Sequence, residues 1–577
     1  MKTRKALFPL ILAGTVLFNS CAFIDLILDS PEVENKKTPT SSQSQNPNSY
    51  SSQNGNKSFS FKNVLPSETS LTFDDADNGK KLFAIYTNQT KDNLTNQRSA
   101  SSTGSGMRID KGVTYMGNGI YRDEVHFDIS DQPIPIDARS ARAAGSYRDL
   151  DDDKFYTLYK EKQTQYDNEI TQFDKQTEGK HCRIWFWNNN PKMVSNSILT
   201  KVEFQKLADN FDLIFEKEIQ IFGSNIISNK YSNLISASED TKIDILVYDL
   251  FGDATEDQTT GTLGFFYTAD LFTNYKGNKC EAIHVDSYFL QYDIKGSKND
   301  KGEIVQTNMT TSTIVHEFQH LLNYCKKGNV SHWYNEMLSM CAEDIFEDVL
   351  QLKEYDTAKA RFKLGFNRPW QGFYNWPESD GTEETQDIIL HAYGNAYAFG
   401  AYLMRNYGGV ELIHNICMNS SKDEESIKDA LQQTELYKDE NFSTVLQKFG
   451  SVYILNTAGI TLNKQITSNF YGTNYILSPI NLEEYYFIIE NPGFNFGKYY
   501  YKQGSDGTGT LNGKKVQALF GPGIFKAGYI FNQTIQNTGF VVYYLGNIDS
   551  SKTYSVANIK KQTVKNDNLT MSIVVID

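Results

Sequence analysis

The chain has 577 residues, of which 39% are hydrophobic and 22% charged, and this length predicts several domains because one hydrophobic core seldom serves so many residues. The formal net charge of −14 argues against a nucleic-acid-binding protein, which needs a basic surface to meet phosphates. The cysteines stand at positions 21, 182, 280, 325, 341 and 417 without a CxxC pair, which excludes a cysteine-built zinc site and a disulfide scaffold.

The N-terminus has the pattern of an export signal. Basic residues among the first five precede an apolar run, residues 6–18, that is too short to span a bilayer comfortably. Cys21 follows a small residue at the end of this run and resembles the lipidated residue of a bacterial lipoprotein, so residues 1–21 are predicted to be a lipoprotein signal. The alternative is a plain secretory peptide, because Phe18 and Asn19 are unusual in a lipoprotein cleavage box. We expect the rest of the chain to be periplasmic or on the cell surface, anchored to a bacterial membrane by lipid on Cys21.

Residues 22–59 are predicted to be a disordered tether. From Lys36 onward they are mostly Ser, Asn, Gln, Thr and Pro, with almost no apolar side chains. Such a segment cannot bury enough apolar surface to offset the entropy lost on ordering.

Residues 60–178 are predicted to be a small β-rich domain. Strands are expected at 70–73, 81–86 and 126–129, followed by a charged helix near 155–171. The acidic run at 149–153 has carboxylates of the kind that bind calcium, but it lacks the EF-hand spacing. We therefore interpret that run as a solvated linker rather than a calcium site.

Residues 179–480 mix strands and helices. Strands are predicted at 183–187, 243–248, 264–267 and 282–285, with an amphipathic helix at 202–222 and mostly helical structure from about 335 to 470. Residues 481–577 return to β character at 516–520, 529–531, 539–544 and 570–576, which predicts a small β-sandwich. The expected fold class is α+β, with a mixed domain between two β-rich ones.

The run His316-Glu317-Phe318-Gln319-His320 fits the pattern H-E-x-x-H. Two histidines four residues apart on a helix point the same way, so their imidazoles converge on one Zn²⁺. Glu317 lies beside them, where it can remove a proton from a metal-activated water. The run therefore predicts one zinc ion per chain, with His316 and His320 as ligands and Glu317 as general base.

The run falls on a predicted helix. Thr310, Thr311 or Ser312 is expected to cap its start, and Gly328 its end. An apolar stripe lies on one side of the helix, and the two histidines lie opposite it, unlike histidines buried in a core; the stripe comprises Ile314, Phe318, Leu321, Leu322 and Cys325. The alternative is a pair of surface histidines on an ordinary helix.

A third ligand decides the class of zinc site. The three-histidine metzincin class needs Gly and His where this chain has Asn323 and Lys326, so that class is excluded. A glutamate from a following helix completes the thermolysin-type site. Glu336 lies near the start of such a helix, opposite its apolar stripe and on one face with Glu343 and Glu347. Glu336 is the predicted third ligand, with Glu343 as its competitor.

The stretch HEFQHLLNYCKKGNVSHWYNEMLSMCAED resembles the hyicolysin-type metallopeptidases (peptidase family M30), which are thermolysin-like gluzincins. The stretches GTLGFFYTADLF, EAIHVD and HAYGNAYAFGAYLMRNYG are similar in order, so the resemblance covers about residues 180 to 415. It implies a zincin-like catalytic domain, zinc as the metal, and protein or peptide substrates. It also implies that residues 282–286 lie at the cleft edge, where an extended substrate adds as a strand.

One departure concerns the residue that orients the first histidine. Thermolysin has an Asp four residues after its ligand Glu, but position 340 is Met here. The orienting role must pass to Glu343, Asp344 or a backbone carbonyl, or be absent.

A donor that stabilises the oxyanion of the tetrahedral intermediate is expected among His391, Tyr393 and Tyr397. Tyr393 is favoured by analogy with gluzincins that use a tyrosine. The alternative is that all three are helix-packing residues.

These features predict an extracytoplasmic zinc endopeptidase whose partners are protein or peptide substrates and, through its lipid, a membrane. A rival hypothesis is a surface adhesin or glycan-binding lipoprotein with a degenerate protease core, which the β-rich flanks and the tether also suit. A degenerate core has little reason to keep His316, Glu317, His320 and Glu336 together. The sequence does not indicate the oligomeric state, the cleavage specificity or the natural substrate.

Overall fold

The computed structural model describes side chains in fourteen stretches of the chain: residues 72–89, 153–157, 170–189, 198–226, 234–235, 241–250, 262–273, 277–296, 303–362, 368–376, 388–454, 461–480, 535–554 and 569–576. Further strands and the first residues of one helix are described by their backbone alone. Cys21, with the export signal, lies outside the described residues, as do most of residues 22–59. No helix in the described part of the chain is both long and apolar enough to cross a membrane.

The α-helices lie between residues 201 and 449. They are α1 (Lys201–Phe222), α2 (Ser287–Lys295), α3 (Met309–Lys327), α4 (His332–Phe346), α5 (Glu383–Tyr407), α6 (Gly409–Met418), α7 (Asp423–Gln432) and α8 (Phe442–Phe449).

The strands lie before, among and after these helices. They are β1 (Asn48–Ser51), β2 (Ser58–Val64), β3 (Thr69–Leu71), β4 (Lys81–Asn88), β5 (Arg108–Gly117), β6 (Ile120–Asp128), β7 (Lys154–Thr157), β8 (Glu169–Gln172), β9 (Asp174–Glu178), β10 (Cys182–Phe186), β11 (Ile243–Tyr248), β12 (Gly264–Phe266), β13 (Ala282–Asp286), β14 (Ser297–Lys298), β15 (Ile304–Val305), β16 (Ile466–Phe470), β17 (Thr473–Leu477), β18 (Tyr501–Gln503), β19 (Thr508–Leu511), β20 (Lys514–Gln517), β21 (Ile524–Lys526), β22 (Phe540–Asn547), β23 (Tyr554–Val556) and β24 (Leu569–Ile576).

A five-stranded sheet in the order β12-β13-β11-β10-β9 supports the helices of the candidate site. Its three central strands are parallel, and the outer strands β12 and β9 run antiparallel to them. Side chains of β11 alternate between the two faces: Ile245 and Val247 join the main core with α1 and α3, whereas Leu246 and Tyr248 join an aromatic cluster on the other face. The mixed sheet and the packed helices confirm the predicted α+β fold class.

The strand expected at the cleft edge is an interior strand. β13 pairs with β11 on one side and with β12 on the other, so neither of its edges is open. The implication that residues 282–286 form the edge is therefore wrong, because β12 pairs antiparallel with β13 on its outer side. The outer strand on this side of the sheet is β12.

A six-stranded sheet in the order β1-β2-β24-β4-β22-β21 joins the two ends of the chain. β4 lies between β24 and β22 and pairs antiparallel with both. Phe83 and Ile85 of β4 pack into the main core, while Leu82 and Ala84 pack against Trp370 and other side chains on the opposite face. Strands from residues 60–178 and 481–577 thus share one sheet, and β1 lies within the range predicted as a tether.

The predicted charged helix at 155–171 is wrong at both of its ends. β7 pairs antiparallel with β8, and residues 158–168 between them lie outside the described part. Phe155 and Thr157 are buried while Lys154 and Tyr156 are half-buried, which is the two-residue period of a strand. Of the acidic run at 149–153 only Asp153 is described, and its carboxylate accepts a hydrogen bond from the Gln172 side chain at 2.8 Å. The strand predicted at 529–531 also lies outside the described residues.

Glu281, just before β13, should make folding pH-dependent. Burial raises the pKa of its carboxyl to about 8, despite a 2.8 Å hydrogen bond from the Asn225 amide. The folded chain therefore keeps a proton that the unfolded chain loses above its ordinary pKa of about 4.3, and the contribution to stability is lost as pH rises from about 4 to 8. Glu281→Gln is expected to raise the free energy of unfolding by on the order of 4 kcal/mol at pH 7.5, and by little at pH 4.5.

Urea unfolding at the two pH values measures this difference. Glu435→Gln, at an exposed position, is the control and should leave the pH dependence of stability as in the wild type. Parallel pH profiles for Glu281→Gln and the wild type would contradict the prediction.

Candidate metal centre

Helix α3, which carries the two histidines of the motif, is capped by an acid from another element. The Asp293 carboxylate, on α2, accepts hydrogen bonds from the backbone N–H groups of Met309 at 3.1 Å and Thr310 at 2.8 Å. The expected cap within residues 310–312 is wrong, because α3 begins at Met309 with Asn308 before it. The helix ends at Gly328 as predicted, with a φ of 65° that favours glycine.

His316, His320 and Glu336 lie together at the contact between α3 and α4. The Nε2 atom of His316 is 3.2 Å from Glu336 Oε2, and that of His320 is 3.4 Å from Glu336 Oε1. All three side chains are buried, and their ligand atoms lie within 4.8 Å of one another. Two imidazoles and one carboxylate converging in this way fit the three protein ligands of a catalytic zinc site.

Side chains on one face of α4 contact the Nδ1 atoms of both histidines. The Nδ1–H of His316 donates to Glu343 Oε1 at 2.7 Å, and Nδ1 of His320 lies 2.8 Å from the Ser339 hydroxyl, whose own proton is directed at Gln319 Oε1. Glu336, Ser339 and Glu343 are three and four residues apart, so they lie along one side of the helix. Because both Nδ1 atoms are engaged, both Nε2 lone pairs are turned toward the point that they share with Glu336.

A proton competes with a metal ion for the Nε2 atom of His316. Burial lowers the pKa of His316, but hydrogen bonds to the carboxylates of Glu336 and Glu343 outweigh burial and raise that pKa well above its usual value. A cation bound by Nε2 must displace the proton that the two carboxylates favour. Metal affinity should therefore fall as pH falls.

Glu317 is held by the outer strand of the sheet. Its Oε2 atom accepts a 2.8 Å hydrogen bond from the backbone N–H of Phe266 on β12, and within the described part of the chain its Oε1 accepts none. The close approach of β12 to α3 depends on Gly264, where a Cβ would lie 2.6 Å from Thr313 Cγ2 and 2.8 Å from the His284 carbonyl oxygen. The predicted general base is therefore fixed at one carboxylate oxygen and open at the other.

The structure distinguishes the two acids that could replace the missing Asp at position 340. Glu343 contacts His316, whereas the Asp344 carboxylate accepts hydrogen bonds from Arg405 at 2.7 and 3.1 Å. The Tyr397 hydroxyl also donates to Asp344, at 3.1 Å. Glu343 is thus the residue that orients the first histidine, and the hydroxyl of Tyr397 is engaged with Asp344 rather than directed at the three-residue cluster.

The other two predicted oxyanion donors lie on α5. His391 and Tyr393 are both buried, and the ring of Tyr393 packs edge-on against Trp376 with centroids 4.8 Å apart. The role of Tyr393 as a donor stays a prediction.

Sequence reasoning missed Ser339, the Phe266 backbone and a buried arginine, Arg361, which contacts Glu343. Ser339 could have been found, because it follows Glu336 by three residues and so shares its helix face. The other two come from segments whose approach to α3 and α4 is tertiary, and no local spacing indicates them.

Comparison with known proteins gives one informative likeness. No family model matches the chain. Over 223 residues it is 25% identical to neutral metalloprotease ShpI of Staphylococcus hyicus, which covers 37% of this chain and 44% of that protein. The match thus spans less than half of the relative's length. It relates the chain to a metalloprotease, at a distance and over part of its sequence.

Proposed function

We propose that this chain is an extracytoplasmic zinc-dependent endopeptidase that hydrolyses peptide bonds in proteins or peptides. The observation that carries the proposal is the buried convergence of His316, His320 and Glu336, with Glu317 beside them. The distant likeness to neutral metalloprotease ShpI supports the same class of activity. The zincin-like arrangement and the membership of the hyicolysin type are parts of this proposal.

The residues of the site have separate tasks in this chemistry. Bound zinc would polarise the scissile carbonyl and activate a water molecule. Glu317 accepts the proton of the attacking water and passes it to the leaving amine, and the Phe266 N–H keeps its carboxylate oriented meanwhile. Ser339 and Glu343 keep the two imidazoles in place. Tyr393 is proposed to donate a hydrogen bond to the developing oxyanion.

The location of the enzyme is part of the proposal. The signal pattern of residues 1–21 supports export and attachment of lipid at Cys21, and the residues between Cys21 and β1 would hold the folded part away from the membrane. Cys21→Ser is expected to move the protein from the membrane fraction to the soluble extracytoplasmic fraction. A variant that stays membrane-bound after a salt wash would contradict lipid attachment at this residue.

Metal analysis combined with cleavage of a peptide library tests the function. We expect one zinc per purified chain, cleavage that stops when a chelator removes the metal, and recovery when zinc is added back. The rival adhesin with a degenerate core predicts no cleavage of any peptide, with or without zinc. That result in a chain of intact fold would overturn the proposal.

A further inference from the structure

We propose that Arg361 is a positioning residue of the metal centre, acting on His316 through the carboxylate of Glu343. This inference rests on the proposed zinc site and adds to it a residue from outside the two metal-binding helices.

A single carboxylate oxygen joins the arginine to the histidine. Glu343 Oε1 accepts from Arg361 Nη1 at 2.8 Å and from His316 Nδ1 at 2.7 Å, while Glu343 Oε2 accepts from the Ser312 hydroxyl at 2.9 Å. Arg361, Glu343 and Ser312 are all fully buried. Both oxygens of the carboxylate are therefore fixed, and the oxygen that orients the histidine is the one that the guanidinium holds.

The length of the glutamate explains why a further contact is needed. Glu343 has one more rotatable bond than the Asp that thermolysin uses, so its side chain has more rotamers and its carboxylate is less restricted in position. A buried carboxylate also needs a compensating charge, because removing it from water is costly unless it is paired. The guanidinium meets both needs, since it offers a fixed, charged donor to the oxygen that faces His316.

Arg361 belongs to a stretch that contacts α3 at a second place. It ends the short 3-10 helix Ala358–Arg361, and the preceding 3-10 helix Glu354–Asp356 carries Asp356. The Asp356 carboxylate accepts a 2.9 Å hydrogen bond from the backbone N–H of Asn308, the residue before α3. Residues 353–361 thus contact the residue before α3 and, separately, the glutamate that binds the first histidine of α3.

The chain contains its own control for this arrangement. Asp344, the next residue after Glu343, forms an equally buried ion pair with Arg405, at 2.7 and 3.1 Å. Within the described part of the chain, Asp344 also contacts the Tyr397 hydroxyl and the Lys359 ammonium, and it contacts neither histidine of the site. Loss of either arginine removes a buried ion pair from α4, but only loss of Arg361 should disturb His316.

Zinc affinity of the purified full chain separates the two roles. Competition with a chromophoric chelator gives the zinc dissociation constant without any measurement of cleavage. Arg361→Met is expected to raise that constant by about 10- to 100-fold, as loss of a group behind a metal ligand does. Arg405→Met should lower the melting temperature comparably, yet leave the constant within about threefold of the wild type. Equal zinc affinity in Arg361→Met and the wild type, or equal losses in the two variants, would overturn the inference.

A double-mutant cycle tests whether the arginine acts through the glutamate. In a Glu343→Gln background, Arg361→Met should change the zinc dissociation constant by less than about threefold, because the carboxylate that links it to His316 is gone. Losses that multiply across the two substitutions would overturn the linkage. If Arg361→Met does not fold, Arg361→Lys keeps the cation without the planar fork and should raise the constant by several-fold; an unchanged constant would count against the inference.

These outcomes can be told apart from a failure of the proposed function. A wild-type chain that binds no zinc would overturn the metal site itself, and the inference with it. A wild-type chain that binds zinc but cleaves nothing would overturn the endopeptidase proposal, while the affinities of the variants would still decide the role of Arg361.

Discussion

Glu317→Gln is expected to lower kcat for peptide hydrolysis by about a thousandfold while the chain keeps one zinc. The side-chain oxygen of glutamine can still accept the hydrogen bond from the Phe266 N–H, so the residue should stay where Glu317 lies. What the substitution removes is the capacity to take a proton from water. Because Glu317 is not a predicted ligand, metal content should remain as in the wild type.

Metal analysis and steady-state kinetics on one preparation measure both parts of this result. Glu317→Asp serves as a matched variant: it keeps the carboxylate but shortens the side chain, so it should lose the Phe266 contact and retain intermediate activity. Unchanged cleavage by Glu317→Gln would refute the assignment of Glu317 as the general base. Loss of zinc from that variant would instead indicate that Glu317 helps to hold the metal.

Glu336→Gln is expected to weaken zinc binding by more than about 100-fold. Loss of a residue that only hydrogen-bonds to a ligand already lowers metal affinity by about 10- to 100-fold. The carboxylate of Glu336 faces both imidazoles, with one oxygen toward each Nε2 atom. A neutral amide cannot supply the charge that this point offers to a cation. Activity should fall with metal content and return in part when excess zinc is added.

Glu347→Gln is the matched control for this prediction. Glu347 was expected on the same face of the helix, but its carboxylate accepts a hydrogen bond from Lys359 at 2.7 Å and another from Ser478 at 2.8 Å. Its removal should lower stability and leave the zinc dissociation constant unchanged. Wild-type zinc affinity in Glu336→Gln would make Glu343, the competing carboxylate, the next ligand to test.

The part of the site that follows from spacing along a helix could be predicted from the sequence. His316 and His320 share a face because they are four residues apart, and Glu336 could be chosen because it lies opposite an apolar stripe on the next helix. The period of the helix placed these residues, and pairing with the histidine motif at a plausible spacing favoured Glu336 over Glu343, which shares its face. Arg361 and the Phe266 N–H could not be found in this way, because their places depend on how separate segments pack.

The fold shows the same division between local and non-local information. The strand predicted at 243–248 coincides with β11, and the helix predicted at 202–222 differs from α1 by one residue, because their hydrophobic periods are clear. The partners of β4 could not be predicted, since they lie more than 400 residues away in sequence. The expectation that residues 282–286 form the edge of the five-stranded sheet is wrong for a related reason. Strand order depends on which strands pair, and the residue pattern of a single strand does not indicate its partners.

The central place of β4 has a consequence for how the protein is made. β4 precedes both strands that flank it by more than 400 residues, so a ribosome synthesises those two strands long after β4. Its sheet can therefore be completed only after translation has reached β24, and until then Phe83 and Ile85 lack neighbours with which they pack in the main core. A chain shortened to residues 179–480 would keep His316, His320 and Glu336, yet it would expose the apolar surface that this sheet covers. A chain of residues 22–577 should thus yield soluble protein where the shortened one aggregates.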